Sequence, residues 1–346
     1  MTSTPIADPR LQSLERWLAG LPGPAIERIT AASVDASFRR YFRVHRGGGT
    51  QIVMDAPPQH ETLDSYLQVA RLLAGTGVNV PAVLAVDAEQ GFVLLGDLGM
   101  LQYLDALAQG ADPEPLYSDA IDALLRLQAL GTEAAADLPL YDRELLRREM
   151  ELFPEWFVVR HLGLEPDADE WRAIGSAFDW LCDQALAQPV VLVHRDYHSR
   201  NLMVCPGRNP GIVDFQDAVR GPITYDLVSL LKDCYVVWPR AQLADWLDRY
   251  RAGAAQLELD VGANRDVFLR WFDLMGLQRH IKVLGIFARL WYRDGKPGYL
   301  GDLPRVLDYT LAITGAEPAL AGFDEFLRRR VVPVFAAAAR RAGMPR

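Results

Sequence analysis

The chain has 346 residues, half of them hydrophobic and 23% charged, with a formal net charge of −9. That length suits two domains or one enzyme with two lobes, and the acidic balance argues against nucleic acid as a partner, because phosphate binding calls for a basic face. No apolar run reaches the roughly 18 residues of a membrane helix, the start Met1-Thr2-Ser3-Thr4-Pro5 lacks signal-peptide regions, and three scattered cysteines (Cys182, Cys205, Cys234) fit a reducing compartment, so a cytoplasmic protein with no membrane partner is expected. Residues 10–19 read as a short amphipathic helix, and residues 26–34, 41–44 and 51–54 as strands. The last two are joined by the hairpin turn Arg46-Gly47-Gly48-Gly49-Thr50. Residues 61–74 carry Leu63, Tyr66, Leu67, Ala70 and Leu73 at helical spacing and stop before Gly75 and Gly77. Residues 83–86 and 92–95 are strands around a turn. The first hundred residues therefore predict a small antiparallel sheet with one inserted helix. From Leu101 on the pattern is mostly helical, interrupted by short strands at 190–193, 202–204 and 212–213. The predicted class is α+β, with a β-rich part at 1–99, a junction near 95–99 and an α-rich part at 100–346.

The chemistry concentrates in His194-Arg195-Asp196-Tyr197-His198-Ser199-Arg200-Asn201, followed by Asp214-Phe215-Gln216-Asp217. The spacing H-R-D-x-x-x-x-N is the catalytic-loop signature of protein kinases, where the Asp accepts the hydroxyl proton and the Asn binds Mg²⁺. Asp196 is placed to orient an attacking hydroxyl and take its proton. Asn201 and Asp214 are hard oxygen ligands suited to the Mg²⁺ that accompanies ATP. Strand, loop, hairpin and acid follow in the order this chemistry needs. His194 and His198 read as residues that orient the loop backbone. Asp217 could touch substrate or a second metal, or be structural. Asp226, just before a Leu-rich helix, reads as an anchor for the catalytic loop.

Two rival readings start from the same loop. Its Asp and Asn could simply cap turns, but that leaves Asp214 after a second strand unexplained. His194, Asp196 and His198 alternate and could ligate zinc as in a metallohydrolase. The remaining histidines, His45, His60, His161 and His280, form no second cluster that would complete such a site.

The order of elements, with His194-x-Asp196-x-His198-x-x-Asn201, Asp214-Phe215-x-Asp217 and Gly221-Pro222-x-x-Tyr225-Asp226-Leu227, resembles the aminoglycoside phosphotransferase family of small-molecule kinases over nearly the whole chain. The resemblance implies a two-lobed protein-kinase-like fold. Within that family, Val53 to Pro58, Leu152 to Phe157 and Gln278 to Gly285 look like the bacterial anomeric kinases of N-acetylmuramate and N-acetylglucosamine. It thus implies ATP-dependent phosphorylation of an amino sugar at its anomeric hydroxyl, in peptidoglycan recycling; a monomer is expected, though the sequence does not fix the oligomeric state. The alternative acceptors are an aminoglycoside, a choline-like amine or homoserine.

The phosphate clamp departs from the kinase pattern. Only Lys232, Lys282 and Lys296 are lysines, so the third strand carries none. The first hairpin turn, Asp35-Ala36-Ser37-Phe38-Arg39-Arg40, has small residues such as Ser37 where glycines are usual. Arg39 or Arg40 is the expected substitute for the lysine, or both are solvated turn charges. Alternation puts Arg40 on the apolar side with Phe42 and Val44. The helix at Glu61 could carry the acid that usually pairs with the missing lysine, and without that lysine its role is open. Leu95 and Asp97 sit where a hinge would offer backbone groups to adenine. Trp156 could stack on a sugar face or pack in the core, while Phe157 reads as core. Arg279, His280 and Lys282 form a polar cluster in an apolar helix. It would suit an acid on the substrate, or an ion pair with Glu151 or Glu155.

Overall fold

The computed structural model describes residues 8–34, 38–60 and 62–341. They divide into two compact units: the residues up to Leu101 together with Met203–Asp217, and Gln102–Leu202 together with the residues from Ala218 on. The expected α+β class is what the chain adopts.

The first unit is a five-stranded antiparallel sheet in the order β1-β2-β3-β5-β4, built from β1 (Ile26–Val34), β2 (Arg40–Arg46), β3 (Gly49–Asp55), β4 (Val83–Asp87) and β5 (Phe92–Gly96). Helix α1 (Pro9–Gly20) precedes it and α2 (Asp64–Gly75) is inserted between β3 and β4. Asp8 starts α1 by accepting the N–H groups of Arg10 and Leu11. In β2, β3 and β5 alternate residues point the same way. Val44, Val53, Phe92 and Leu94 therefore share one face and bury Leu14 and Leu18 of α1. Asp55 lies on that face too, fully buried, and is neutralised by Arg10 and Arg40. Gly91, at φ 75°, lets the β4–β5 hairpin approach Ala56, whose carbonyl a Cβ would strike. Segment 203–217 belongs here because its backbone pairs here. Ile212 N–H donates to Asn79 O (2.7 Å), Val204 N–H to Leu101 O (2.8 Å), and Phe215 packs on Tyr66 of α2.

The second unit is helical around one small ribbon. In chain order it holds α3 (Tyr103–Ala108), α4 (Pro113–Ala134), α5 (Arg143–Met150), a π-helical segment Phe153–His161, α6 (Ala168–Leu186) and β6 (Val190–Val193). The chain then forms the short strands β7 (Leu202–Met203), at the boundary, and β8 (Gly211–Ile212), within the first unit's segment 203–217; the second unit resumes with β9 (Val219–Pro222), α7 (Tyr225–Leu231), α8 (Arg240–Gln256), α9 (Arg265–Tyr292), α10 (Leu303–Thr314), α11 (Ala321–Phe326) and α12 (Val332–Arg341). β6 pairs antiparallel with β9, a strand the sequence pattern does not suggest. α9 is the hub: it packs on α6, α7, α10 and the π-helical segment, and is buried from Leu274 through Gly285. Burial on all sides explains why its sequence shows no amphipathic stripe. A side chain at Gly285 would run into the backbone of Leu152, so this glycine sets how closely α9 meets the π-helical segment.

Candidate active site

β6 delivers the chain into the loop 194–201, and two buried acids from elsewhere in the second unit hold that loop. Asp226, in the first turn of α7, accepts the N–H groups of His194 (2.6 Å) and Arg195 (2.9 Å). Burial pushes its carboxyl up to about 7, against the pull of those two bonds. Asp233 accepts both N–H and O–H from Ser199, at 3.0 and 2.5 Å, and the N–H of Tyr235. His194 Nδ1 accepts the N–H of Asp196 at 3.2 Å, so this buried imidazole orients the backbone of the acid next door. His198 is edge-on to Tyr235, and burial lowers its pKa.

Arg195 has φ 76° and Asp214 φ 64°. Non-glycine residues rarely adopt such angles; each costs on the order of 1–3 kcal/mol and persists only where its surroundings enforce it. At Arg195 the enforcement is visible. Its N–H is tied to Asp226, and its guanidinium pairs with Glu149 and lies over the Tyr141 ring. Glu149, nearly buried on α5, also receives Lys282 Nζ at 2.9 Å and the Tyr141 hydroxyl, while Lys282 reaches the Tyr225 hydroxyl at 3.2 Å. Burial opposes ionisation of Glu149, yet Lys282 and Arg195 hold its carboxyl below the usual range. The same balance governs Asp196. Burial raises it, but Lys282, His198, Arg279 and Arg195 together hold it low, so it stays a carboxylate.

Asn201 donates its side-chain N–H to the Asp196 carbonyl at 3.0 Å, which fixes the amide within the loop. In the first unit, Asp214 Oδ1 accepts from Gln216 at 2.8 Å, and Asp217 is exposed. Amide and carboxylate oxygens are the donor types Mg²⁺ selects, so Asn201 and Asp214, each within its own unit, carry donors that suit that ion. Among the described residues no group of three or more His, Cys, Asp or Glu is placed to hold a metal, which leaves the zinc reading without a ligand set.

The remaining expected site residues fall as follows. Ser37 and Glu61 lie outside the described residues. Arg40 donates to Asp55 and pairs with Asp8. Arg39 follows the first turn and is half-buried. Leu95 is buried in β5, opposite Ile52 and Val83. Asp97 holds a two-point ion pair with Arg43 (2.6 and 3.1 Å) and accepts the N–H of Gly99. Trp156 is half-buried under the guanidinium of Arg160. His280 is buried and stacked on Tyr309, and its Nε2 meets Lys232 O at 3.2 Å; burial pushes its pKa down to about 3. Arg279 is buried and donates to Cys234 Sγ at 3.5 Å. The ion pair expected for this cluster with Glu151 or Glu155 is instead made by Lys282 with Glu149, and Glu151 pairs with Arg147. Glu149 and Asp233 are site residues that motif reading misses. For Glu149 a signal exists: it falls on the face of α5 that carries Leu146 and Met150.

Comparison with known proteins places these observations. A family model described as the phosphotransferase enzyme family matches residues 28–263. An N-acetylmuramate/N-acetylglucosamine kinase of Pseudomonas putida is 49% identical over 338 residues, covering 93% of this chain and 97% of the relative. One of Neisseria meningitidis with the same name is 44% identical, covering 89% and 92%. Among solved structures, a choline kinase of Streptococcus pneumoniae superposes with TM-score 0.61 at 11% identity, covering 87% of this chain and 99% of that one. An ADP-bound aminoglycoside phosphotransferase gives TM-score 0.57 at 15% identity, covering 87% and 96%. These structural likenesses establish the protein-kinase-like fold.

Proposed function

We propose, from the premise that the chain belongs to the phosphotransferase enzyme family, that it phosphorylates the anomeric hydroxyl of N-acetylmuramate or N-acetylglucosamine with ATP, a step that suits peptidoglycan recycling. The chain is a kinase. The observation that carries the mechanism is the anchored, ionised Asp196. Its backbone is fixed by His194 and Asn201, and four cationic or ring nitrogen-bearing side chains keep its carboxyl charged. A sugar hydroxyl is a poor nucleophile; a carboxylate within hydrogen-bond reach orients it and takes its proton as the bond to phosphorus forms. The anomeric hydroxyl is the most acidic of a sugar's hydroxyls, which eases this transfer.

Asn201 and Asp214 each offer an oxygen for Mg²⁺. When bound, that ion would neutralise phosphate charge. The first unit is the proposed nucleotide-binding part, with backbone near Leu95 and Asp97 for adenine. The Arg43 ion pair takes up the Asp97 side chain, so only main-chain groups of that residue are on offer. Arg39 and Arg40 are the two arginines proposed for phosphate, and a phosphate at Arg40 would compete with Asp8 and Asp55. A cationic acceptor, such as choline or an aminoglycoside, is disfavoured by the buried cations Arg279 and Lys282 around Asp196.

The test is an ATP-consumption screen over N-acetylated amino sugars, aminoglycosides and choline, with phosphorus NMR of the product. The expected product carries its phosphate on the anomeric carbon of an N-acetylated amino sugar and forms only with added Mg²⁺. Phosphate on another hydroxyl, or turnover confined to choline or an aminoglycoside, refutes the proposal.

A further inference from the structure

Arg279 stands in the middle of α9 and is 5% exposed. Among the described residues it forms no ion pair, and its one hydrogen bond goes to Cys234 Sγ at 3.5 Å. The neighbouring cations are provided for: Arg195 and Lys282 share Glu149. Cys234 is not a counter-ion, because burial pushes its thiol up to about 11 and keeps it neutral. A guanidinium carries five N–H donors, and burying one without an anion to receive them is costly. The position is also telling. Cys234 follows Asp233, the acid that holds Ser199 of the catalytic loop, and Arg279 lies in the electrostatic field of Asp196 and Asp233.

We propose that Arg279 receives the carboxylate of an acidic acceptor sugar, the lactyl carboxylate in the case of N-acetylmuramate. This rests on the amino-sugar reading and deepens it, since N-acetylglucosamine has no such group. A planar, singly charged carboxylate matches the guanidinium fork at two points. A transferred phosphoryl group carries more negative charge and would meet the field of Asp196, Asp226 and Asp233 around this arginine. The chemistry thus favours the acceptor's acid over the phosphoryl group as the anion.

The experiment compares kcat/KM for N-acetylmuramate and N-acetylglucosamine in the parent, Arg279→Gln and Arg279→Lys. Loss of a charge-assisted pair predicts that the acid-to-neutral ratio falls about 10- to 100-fold in Arg279→Gln, through the KM of the acid. Arg279→Lys should recover part of the ratio. Equal losses on both sugars would overturn the proposal and place Arg279 against the phosphoryl group or in the scaffold. A second measurement needs no variant. With the parent enzyme, the methyl ester of N-acetylmuramate should show a KM raised by a similar factor, and an unchanged KM overturns the proposal. A parent that turns over both sugars but whose ratio does not respond leaves the amino-sugar reading standing and removes only this inference. A parent that turns over neither removes both.

Discussion

Glu149→Gln tests the charge network beneath the catalytic loop. The replacement keeps size and hydrogen-bonding capacity, so no cavity is made and the change isolates one negative charge. Glu149 is 7% exposed and is shared by Arg195 and Lys282, whose side chains are 18% and 11% exposed. Removing one partner of a buried pair costs about 3–5 kcal/mol, because the other charge stays buried without compensation. Here two cations lose their common partner. Arg195 keeps the face of Tyr141 and the field of Asp196, and both side chains retain a little solvent. The lower end, about 3 kcal/mol, is therefore expected. For a unit of roughly 150–250 residues that corresponds to a fall of about 6–12 °C in Tm. Equilibrium urea denaturation followed by tryptophan fluorescence, with calorimetry, reads both. Adding Lys282→Met removes one of the stranded charges, so the double variant should recover at least about 1 kcal/mol relative to the simple sum of the single losses. A cost below about 0.5 kcal/mol for Glu149→Gln, or strictly additive losses, would refute the network.

Asp196→Asn should lower kcat by roughly two to four orders of magnitude while ATP affinity, measured by calorimetry, is retained; near-normal turnover would remove Asp196 from its role. His280 supplies a pH dependence of stability. Its folded pKa of about 3 lies below the ordinary 6.5, so its contribution is fully present above pH 6.5 and is lost as pH falls from there towards 3. At pH 5 the loss is about 2 kcal/mol. His280→Phe retains the stack on Tyr309 and cannot be protonated. The stability gap between parent and variant should thus shift by that amount, in favour of the variant, between pH 7.5 and pH 5; parallel curves would contradict it.

The sheet of the first unit is legible in the sequence because its strands are short apolar or alternating runs bounded by turn formers; β5, buried on both faces, is a continuous apolar run rather than an alternating one. The loop 194–201 stands out in the sequence as a candidate site because the proposed chemistry demands fixed residue types at fixed spacing. β9 is not legible, since Val-Arg-Gly-Pro reads as a turn; its strand character comes from distant partners, β6 on one side and a single bridge from Arg220 to Leu140 on the other. The partner of Lys282 is not legible either. Glu149 lies 133 residues away in sequence, and no local spacing reports a pairing of that range. Likewise, Asp214 follows the loop closely in sequence but belongs to the unit of Asn79 and Tyr66, through bonds formed across more than a hundred residues.

The arginines of the lysine-free first unit carry this reasoning furthest. Their number invites the expectation of a phosphate clamp, because a cation in a kinase's sheet is usually there for the nucleotide. The structure gives at least three of them acids of their own. Arg10 and Arg40 neutralise Asp55, and Arg43 holds Asp97. Fork geometry suits this, since one guanidinium satisfies a buried carboxylate at two points where an ammonium would leave an oxygen unmet. Arginine content therefore reports the buried acids of the sheet as much as its ligand. Charge counting selects Arg39 and Arg40 as the phosphate candidates of the first turn, and an Arg39→Ala variant with an unchanged KM for ATP would remove Arg39 from them. Replacing Arg40 by Ala should act through stability, by exposing Asp55 to a half-neutralised interior.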